Sequence, residues 1–537
     1  MSRLSRLFVL PPLRKEGVGG WSRAGWLVAL GLLLTIPATA QTISLRTVPG
    51  PLANIVNELE GRGTSLYVGP RLTITRDGGA SWRQPDYAPL VRGDRHVSSI
   101  DAQGNRVVAG LRYSDEDAEG DAVFSAGGYL TSHNAGQTWR FLPVVVDAVN
   151  DTLTRYGVVL LRTYPTTGPA NAPPLDISIA PDSGVVYVAA GFAGLRRIPR
   201  DSTRFERVVL PPDELDEIRP DALNAFTVGP RQVVQPGNRV VGNYNHVVYS
   251  VLLDQKGVLW AGSYFGLNRS TDGGRSWRRY TATGSVGAPT GSFVTRIREQ
   301  PSGDTTRSAV WFVTRRNVDR DPASARDGLL VTRDGGETFT QTLVGETIYD
   351  VAFRGQTVYA GGASGLFISD DGGLTWRNVR DFFDPNDPIN SVPTERGVAL
   401  SVAVTSDGTL WVGTGAGLAK STDGGRTWRV FRTAAPLQSD EPGAVAVETY
   451  AYPNPFSPAS VGNVRLRFSG DGQARIRIFD FGMQLVRTLD EGGSGTGERE
   501  LLWDGFDSRG VRVPNGPYFY AVDVGGRTVR GKILVVE

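Results

Sequence analysis

Ser421-Thr-Asp-Gly-Gly-Arg-Thr-Trp428 decides the fold, because the chain writes it again and again. Close copies are Ser270-Thr-Asp-Gly-Gly-Arg-Ser-Trp277, Ser369-Asp-Asp-Gly-Gly-Leu-Thr-Trp376 and Thr75-Arg-Asp-Gly-Gly-Ala-Ser-Trp82. Thr332-Arg-Asp-Gly-Gly-Glu-Thr-Phe339 changes the aromatic, and Ser132-His-Asn-Ala-Gly-Gln-Thr-Trp139 replaces the Asp by Asn. The motif reads as a hairpin turn. Its Asp accepts hydrogen bonds from backbone N–H groups about two residues on, and Gly-Gly supplies positive φ. The flanking Ser/Thr tie the two strands together, and the closing Trp is a large apolar anchor.

Working outward, each copy follows an apolar strand that ends in small residues, a short turn and a second strand. Leu410-Trp-Val-Gly-Thr-Gly-Ala-Gly-Leu-Ala-Lys-Ser421 shows this most clearly, and 259–270 and 358–369 match it position for position. Ser401-Val-Ala-Val-Thr405 is a first strand ahead of it, joined by Ser406-Asp-Gly408. Four strands per unit in a meander is a propeller blade. A degenerate unit, 176–195, keeps the strands while its turn has decayed to Pro199-Arg-Asp-Ser-Thr-Arg-Phe205. Counting it gives seven units, at 51–85, 96–143, 174–210, 246–280, 292–343, 346–380 and 398–432. Six or eight remain open, since the first unit is weakly marked and 143–173 has room for strands. Ring closure by an N-terminal strand such as Thr42-Ile-Ser-Leu-Arg46 is optional, because the last unit carries four strands of its own.

The repeated octapeptide resembles the Asp-box, or BNR repeat, of sialidases, sortilin-type receptors and several glycoside hydrolases. The resemblance implies boxes between the third and fourth strands of each blade, on the face away from the binding site. Asp77, Asn134, Asp272, Asp334, Asp371 and Asp423 are therefore expected to hold turns rather than to catalyse. Long connections at 143–173, 211–245 and 378–397, with the loops between second and third strands, should emerge on the opposite face. Loops on a rigid scaffold commonly carry function.

Composition narrows the rest. The chain has 537 residues, enough for two or three domains, and 67 glycines with few helix-period apolar patterns, so an all-β chain is expected. Acidic and basic residues nearly cancel, 55 against 57, which leaves no electrostatic footprint for nucleic acid. There is no Cys, and His96, His133 and His246 stand at no metal-ligand spacing. No metal and no cofactor are expected. The acidic stretches Asp115–Asp121 and Asp381–Asp387 offer oxygen ligands without the spacing of a recognised calcium loop.

Residues 1–40 read as a secretory signal peptide: Arg3, Arg6, Arg14, Lys15 and Arg23, then the apolar run Trp26–Ile36, then Ala38-Thr-Ala40 before Gln41. A membrane anchor is the alternative, although the run is short against the ~20 residues that span a bilayer. The expected domains are 1–40 signal, 41–443 propeller and 444–537 a small Ig-like sandwich. The tail has Arg475-Ile-Arg-Ile-Phe479, which alternates, and turns such as Trp503-Asp-Gly505. Its Tyr452-Pro-Asn-Pro-Phe456 opening, Asn515-Gly-Pro-Tyr-Phe-Tyr520 and final Gly531–Glu537 resemble the C-terminal sorting domain of the type IX secretion system. The Trp-Asp-Gly turn also resembles the Ig-like module of flagellar hook-capping proteins. An ordinary β-sandwich with no sorting role is the alternative.

No catalytic constellation is legible. Sialidases carry an early Arg-Ile-Pro; here Arg197-Ile-Pro199 falls in the third unit instead. Xyloglucanase-like hydrolases pair two propellers around a carboxylate cleft, and one is present. Asp94, Glu299 and Asp350 are the carboxylates at blade edges that could reach a face. The ligand-binding candidates on second-to-third-strand loops are Arg71, Phe192, Tyr264, Phe265, Arg315 and Arg316, since aromatics suit sugar faces and Arg suits carboxylates. Packing between blades is the competing use for the aromatics. The expected function is a secreted or cell-surface β-propeller binding protein exported through the type IX machinery, with a glycan or surface protein as partner. Its route would be a Sec signal and the periplasm, with no membrane span after cleavage. A secreted glycoside hydrolase of the sialidase or xyloglucanase type is the alternative, which leaves the enzyme question open. An assembly factor, like the Asp-box propellers that help build photosynthetic complexes, is a third.

Overall fold

The computed structural model describes residues 42–536, except 88–94, 117–121, 145, 171, 201, 231–232, 236–238, 242, 303–307, 386–390, 393–396, 433–447, 453 and 459–462. The expected signal peptide, Asp94 and the tips of both acidic stretches lie outside the described residues.

Seven four-stranded antiparallel meanders follow one another along the chain. Their inner strands are Leu59–Arg62, His96–Gln103, Asp176–Ile179, Val248–Leu253, Phe293–Gln300, Ile348–Arg354 and Ala399–Val404. Each touches the next, and the last touches the first, so the ring closes as a seven-bladed propeller. Every blade uses four consecutive strands. Closure is therefore made by packing and not by strand exchange. Blade 7 meets blade 1 through hydrogen bonds from Val56 N to Thr414 O (2.9 Å) and Ser406 N to Gly63 O (2.7 Å). The N-terminal strand Leu45–Val48 does not close the ring. It pairs with Trp82–Pro85 and covers the outer edge of blade 1, where an unpaired edge would invite association. Glu217–Ile218 covers the outer edge of blade 4 in the same way.

The connection 143–173 does contain strands, but they make no eighth blade. Leu153–Tyr156 and Val159–Thr163 form a hairpin that Thr227–Val228 joins in parallel. The hairpin's chain is fixed to blade 3 by Asp147, whose carboxylate takes Arg196 (2.9 Å) and Arg207 (2.6 Å). The two guanidiniums hold the Asp147 pKa down to about 2 against the cost of its burial.

The repeated octapeptide forms the turn between third and fourth strands in six blades, and its chemistry is richer than a hairpin needs. The leading Ser/Thr, at Thr75, Ser132, Ser270, Thr332, Ser369 and Ser421, is buried every time. Its hydroxyl sits 2.7–2.9 Å from the N–H of the second Gly, which donates to it, and it donates onward to the Asp or Asn. The Asp accepts from N–H groups three and four residues on, not two, as at Arg426 and Thr427 (both 3.0 Å to Asp423 Oδ1). The second Gly has positive φ and touches the preceding blade. A Cβ at Gly373 would sit 2.5 Å from the Trp311 ring, and one at Gly336 2.6 Å from Trp260. From those same blades a cation reaches the turn: Arg333 donates to Gly372 O (2.7 Å), Arg269 to Gly335 O (2.6 Å) and Lys420 to Gly78 O (2.6 Å). The turn is thus also a clasp between neighbouring blades.

After residue 447 the tail forms a separate β-sandwich. A three-stranded sheet of Thr449–Tyr452, Val464–Ser469 and Glu498–Trp503 faces a four-stranded one of Leu485–Gly495, Gly472–Phe479, Gly516–Val524 and Arg527–Val535. Inward residues alternate along the strands, with Leu466, Ile476, Ile478, Trp503, Tyr520 and Ile533 in one buried core. Among the described residues no helix is long and apolar enough to cross a membrane.

Candidate functional site

Main-chain bonds tie the second-to-third-strand turns to the segments that enter the inner strands. Tyr264 N donates to Val247 O, Ala363 N to Thr347 O and Gly345 N to Asp327 O, at 2.8–2.9 Å. These loops therefore share one face, opposite the Asp-Gly-Gly turns.

On that face an aromatic cluster spans blades 4 and 5. Tyr264 lies 5.4 Å from Tyr244 and 5.0 Å from Phe293, ring centre to ring centre, and Phe293 is 4.6 Å from Tyr249. Arg320, exposed, lies over Tyr244 (5.1 Å) and Phe265 (5.6 Å) and within 3.5 Å of Asp213 Oδ2. Arg279 stands beneath Phe265 at 5.3 Å, and Arg315 lies over Tyr349 of blade 6 at 5.0 Å. Cation–π contacts of this kind hold long side chains against rings. Burial and the nearby Asp319 carboxylate push the Tyr264 phenol up to about 12, so it stays a neutral donor, 3.5 Å from Asp319 Oδ2. A half-buried aromatic surface edged by guanidinium, carboxylate and phenol can stack a ring and hydrogen-bond its substituents.

The candidates do not all gather here. Tyr264, Phe265 and Arg315 belong to the cluster; Arg316 is next in line, its N–H held by Asp327 (3.0 Å). Phe192 instead lines a cavity of about 30 Å³ in blade 3, with Tyr164, Arg196 and His246, room for about one water. Arg71 stands on blade 1, where its carbonyl takes the Gln84 amide (2.8 Å). Sequence reasoning missed Tyr244, Tyr249, Phe293, Arg320 and Tyr349. Three of these open the inner strands of consecutive blades, a recurrence that aligning the units would have exposed. His246 is a buried pin of the 211–245 connection, with Nε2 2.9 Å from Leu210 O and Nδ1 accepting from Gly229 N at 2.9 Å.

The expected face carboxylates take other places. Asp350 is fully buried on the axis, and Glu299 accepts from Gln255 N (3.0 Å) in the turn after the inner strand of blade 4. The two form no pair across a groove. Arg197 makes a surface ion pair with Glu206 (2.8 Å) within its own blade, and Ile198 is core. Among the described residues no group of His, Cys, Asp or Glu could hold a metal ion.

The axis itself carries an ionic cluster that no motif announced. One position recurs in all seven blades, near the start of the inner strand, opposite a Gly or Ala in six blades and Val313 in blade 5: Glu58, Ser99, Asp176, Ser250, Arg296, Asp350 and Ser401. Arg296 from blade 5 reaches Glu58 (2.5 Å), Asp350 (3.3 Å) and Asp176 (3.5 Å). Arg298, two residues on, approaches Asp176 and Asp350 at 3.6 Å. The acids also stitch blades together by accepting backbone N–H groups from the next inner strand. Glu58 takes Ile100 (3.3 Å), Asp101 takes Ile179 (2.5 Å), Asp176 takes Val251 (3.1 Å) and Asp350 takes Val402 (3.2 Å).

Comparison with known proteins gives one family match: the FlgD Ig-like domain, over residues 458–526. No curated protein matches the chain. Among solved structures, it is similar to PorZ of Porphyromonas gingivalis, an essential bacterial surface component of the type-IX secretion system. Identity is 13%, over 90% of this chain and 81% of that one, with a TM-score of 0.33. YCF48 from Cyanidioschyzon merolae is 16% identical over 70% of this chain and 97% of its own, with a TM-score of 0.40. The extracellular domain of the putative hybrid two component system BT3049 from B. thetaiotaomicron is 13% identical, with 92% and 57% covered and a TM-score of 0.38.

Proposed function

We propose that this is a secreted or cell-surface Asp-box propeller that recognises a ligand on its loop face, at the Tyr264 cluster. The domains are taken as 1–40 signal, 41–443 propeller and 444–537 sorting module, the last addressing the chain to type IX export. The observation that carries the reading is the cluster itself. Six rings and three guanidiniums from three blades meet on the loop face, while the Asp-Gly-Gly turns on the other face are consumed by structure. A glycan or a surface protein is the class of partner such a surface suits.

The test uses purified full chain on immobilised plant, algal and sialylated glycans and on envelope proteins. Tyr264→Ala and Arg320→Ala should abolish retention while Leu374→Ala, an exposed change on the opposite face, should not. Retention indifferent to both cluster substitutions would refute the site. Release of reducing ends from any glycan would favour the hydrolase instead. For the tail, removal of 448–537 should strand the protein in the periplasm of a host with type IX machinery; unchanged export would refute the sorting role.

A further inference from the structure

The axis holds more negative charge than it can pair. Five carboxyl groups, Glu58 and Glu60 of blade 1, Asp101 of blade 2, Asp176 of blade 3 and Asp350 of blade 6, face two guanidiniums, Arg296 and Arg298 of blade 5. Arg112, on the second strand of blade 2, is the further cation that senses Glu58. The inner strands of blades 4 and 7 contribute no charged group. Glu58, Asp176 and Asp350 are buried, and Glu60 and Asp101, two residues further along their inner strands than Glu58 and Ser99, are half-buried. An excess of like charges at this spacing in a low-dielectric interior is relieved by protonation.

We propose that the axis of the propeller is a proton-binding device: Glu58, Glu60 and Asp101, in excess of the guanidiniums that face them, hold protons in the closed ring, and the ring loosens when those protons leave. Burial and mutual repulsion raise Glu58 and Glu60, and burial lifts Asp101 to about 6, opposed by the Ile179 N–H and Arg298. Asp101 and Glu60 also sit where protons can reach them, since both keep part of their surface exposed.

The sign follows from the raised values. A carboxyl whose proton is held more tightly in the fold adds stability below its unfolded pKa, and that stability is lost as pH rises through the folded pKa. The carboxyls that then repel one another stand in four different blades, Glu58 and Glu60 in blade 1, Asp101 in blade 2, Asp176 in blade 3 and Asp350 in blade 6, so the loss falls on the contacts between blades.

The experiment is denaturant unfolding of the full chain from pH 5 to 8.5 at fixed ionic strength. The folding constant should fall with rising pH, by up to about tenfold per pH unit for each proton held. Asp101→Asn and Glu60→Gln keep shape and remove one titration each, and should flatten the profile. Protons released on unfolding at pH 7, read with an indicator dye, give a second measure that needs no stable variant. His246, buried and held neutral, takes protons up on unfolding and so works against the expected release. Net release supports the device. A flat wild-type profile without release, or variants that keep the full slope, would overturn it.

Discussion

Replacing Ser421 by Ala isolates the least obvious part of the repeated turn. The hydroxyl is 2% exposed, donates to Asp423 Oδ1 at 2.8 Å and accepts from Gly425 N at 2.8 Å. Alanine fills nearly the same space, so cavity formation adds little. What changes is that the Gly425 N–H is left buried without an acceptor, which costs about 1–3 kcal/mol. Asp423 keeps the Arg426 and Thr427 N–H groups and the Thr427 hydroxyl (2.6 Å), so the turn survives. The expected loss is about 2 kcal/mol, roughly thirtyfold in the folding constant at ~1.4 kcal/mol per tenfold. Urea unfolding should show a lower midpoint with an unchanged slope. Ser421→Thr should be close to wild type, because Thr75 and Thr332 already fill this role in blades 1 and 5. An Ala variant within ~0.5 kcal/mol of wild type, the range of inert surface changes, would refute the assignment, as would a Thr variant equally destabilised.

The two glycines of one turn should part company. Gly335→Ala meets open space at φ +73° and should cost about 1 kcal/mol of backbone strain, whereas Gly336→Ala adds a collision with Trp260 and should cost clearly more by urea midpoint. Arg296→Met should lose about 3–5 kcal/mol by leaving Glu58, Asp176 and Asp350 short of a partner. Adding Glu58→Gln should recover part of that loss, and no recovery would argue against direct pairing. On the acid side, hydrogen bonds hold the turn aspartates low, Asp77 at about 2 and Asp272 also down, against the cost of their desolvation. Their contribution is complete above ~4, the unfolded value, and lost as pH falls through the folded value. Near-ultraviolet circular dichroism should therefore record weakening between about pH 4 and 2, and the Asn134 turn, which has no acid, should contribute none of it.

The octapeptide was enough to reveal blades and where six of their turns fall, because a hairpin turn is local; it left six, seven or eight blades open until the ring closed at seven. A few neighbouring residues set its φ angles and hydrogen bonds, and repetition made the pattern legible even where the Pro199–Phe205 copy had decayed. The tail's alternation at Arg475–Phe479 spoke for a sandwich on the same local grounds. Tertiary structure decided what needs residues far apart in sequence. The second Gly is required by Trp311 or Trp260 of another blade as well as by its own φ. Leu45–Val48 could equally have closed the ring, and only its pairing with Trp82–Pro85 shows that it guards an edge. Tyr264 and Phe265 were visible as loop aromatics. Their partners Tyr244, Phe293 and Arg320 meet them only because neighbouring blades radiate from one axis. On that axis Glu58 and Arg296, 238 residues apart, look like ordinary polar positions in a strand until ring closure brings seven such positions together. Charge, unlike a turn, carries no local periodicity for a sequence to display.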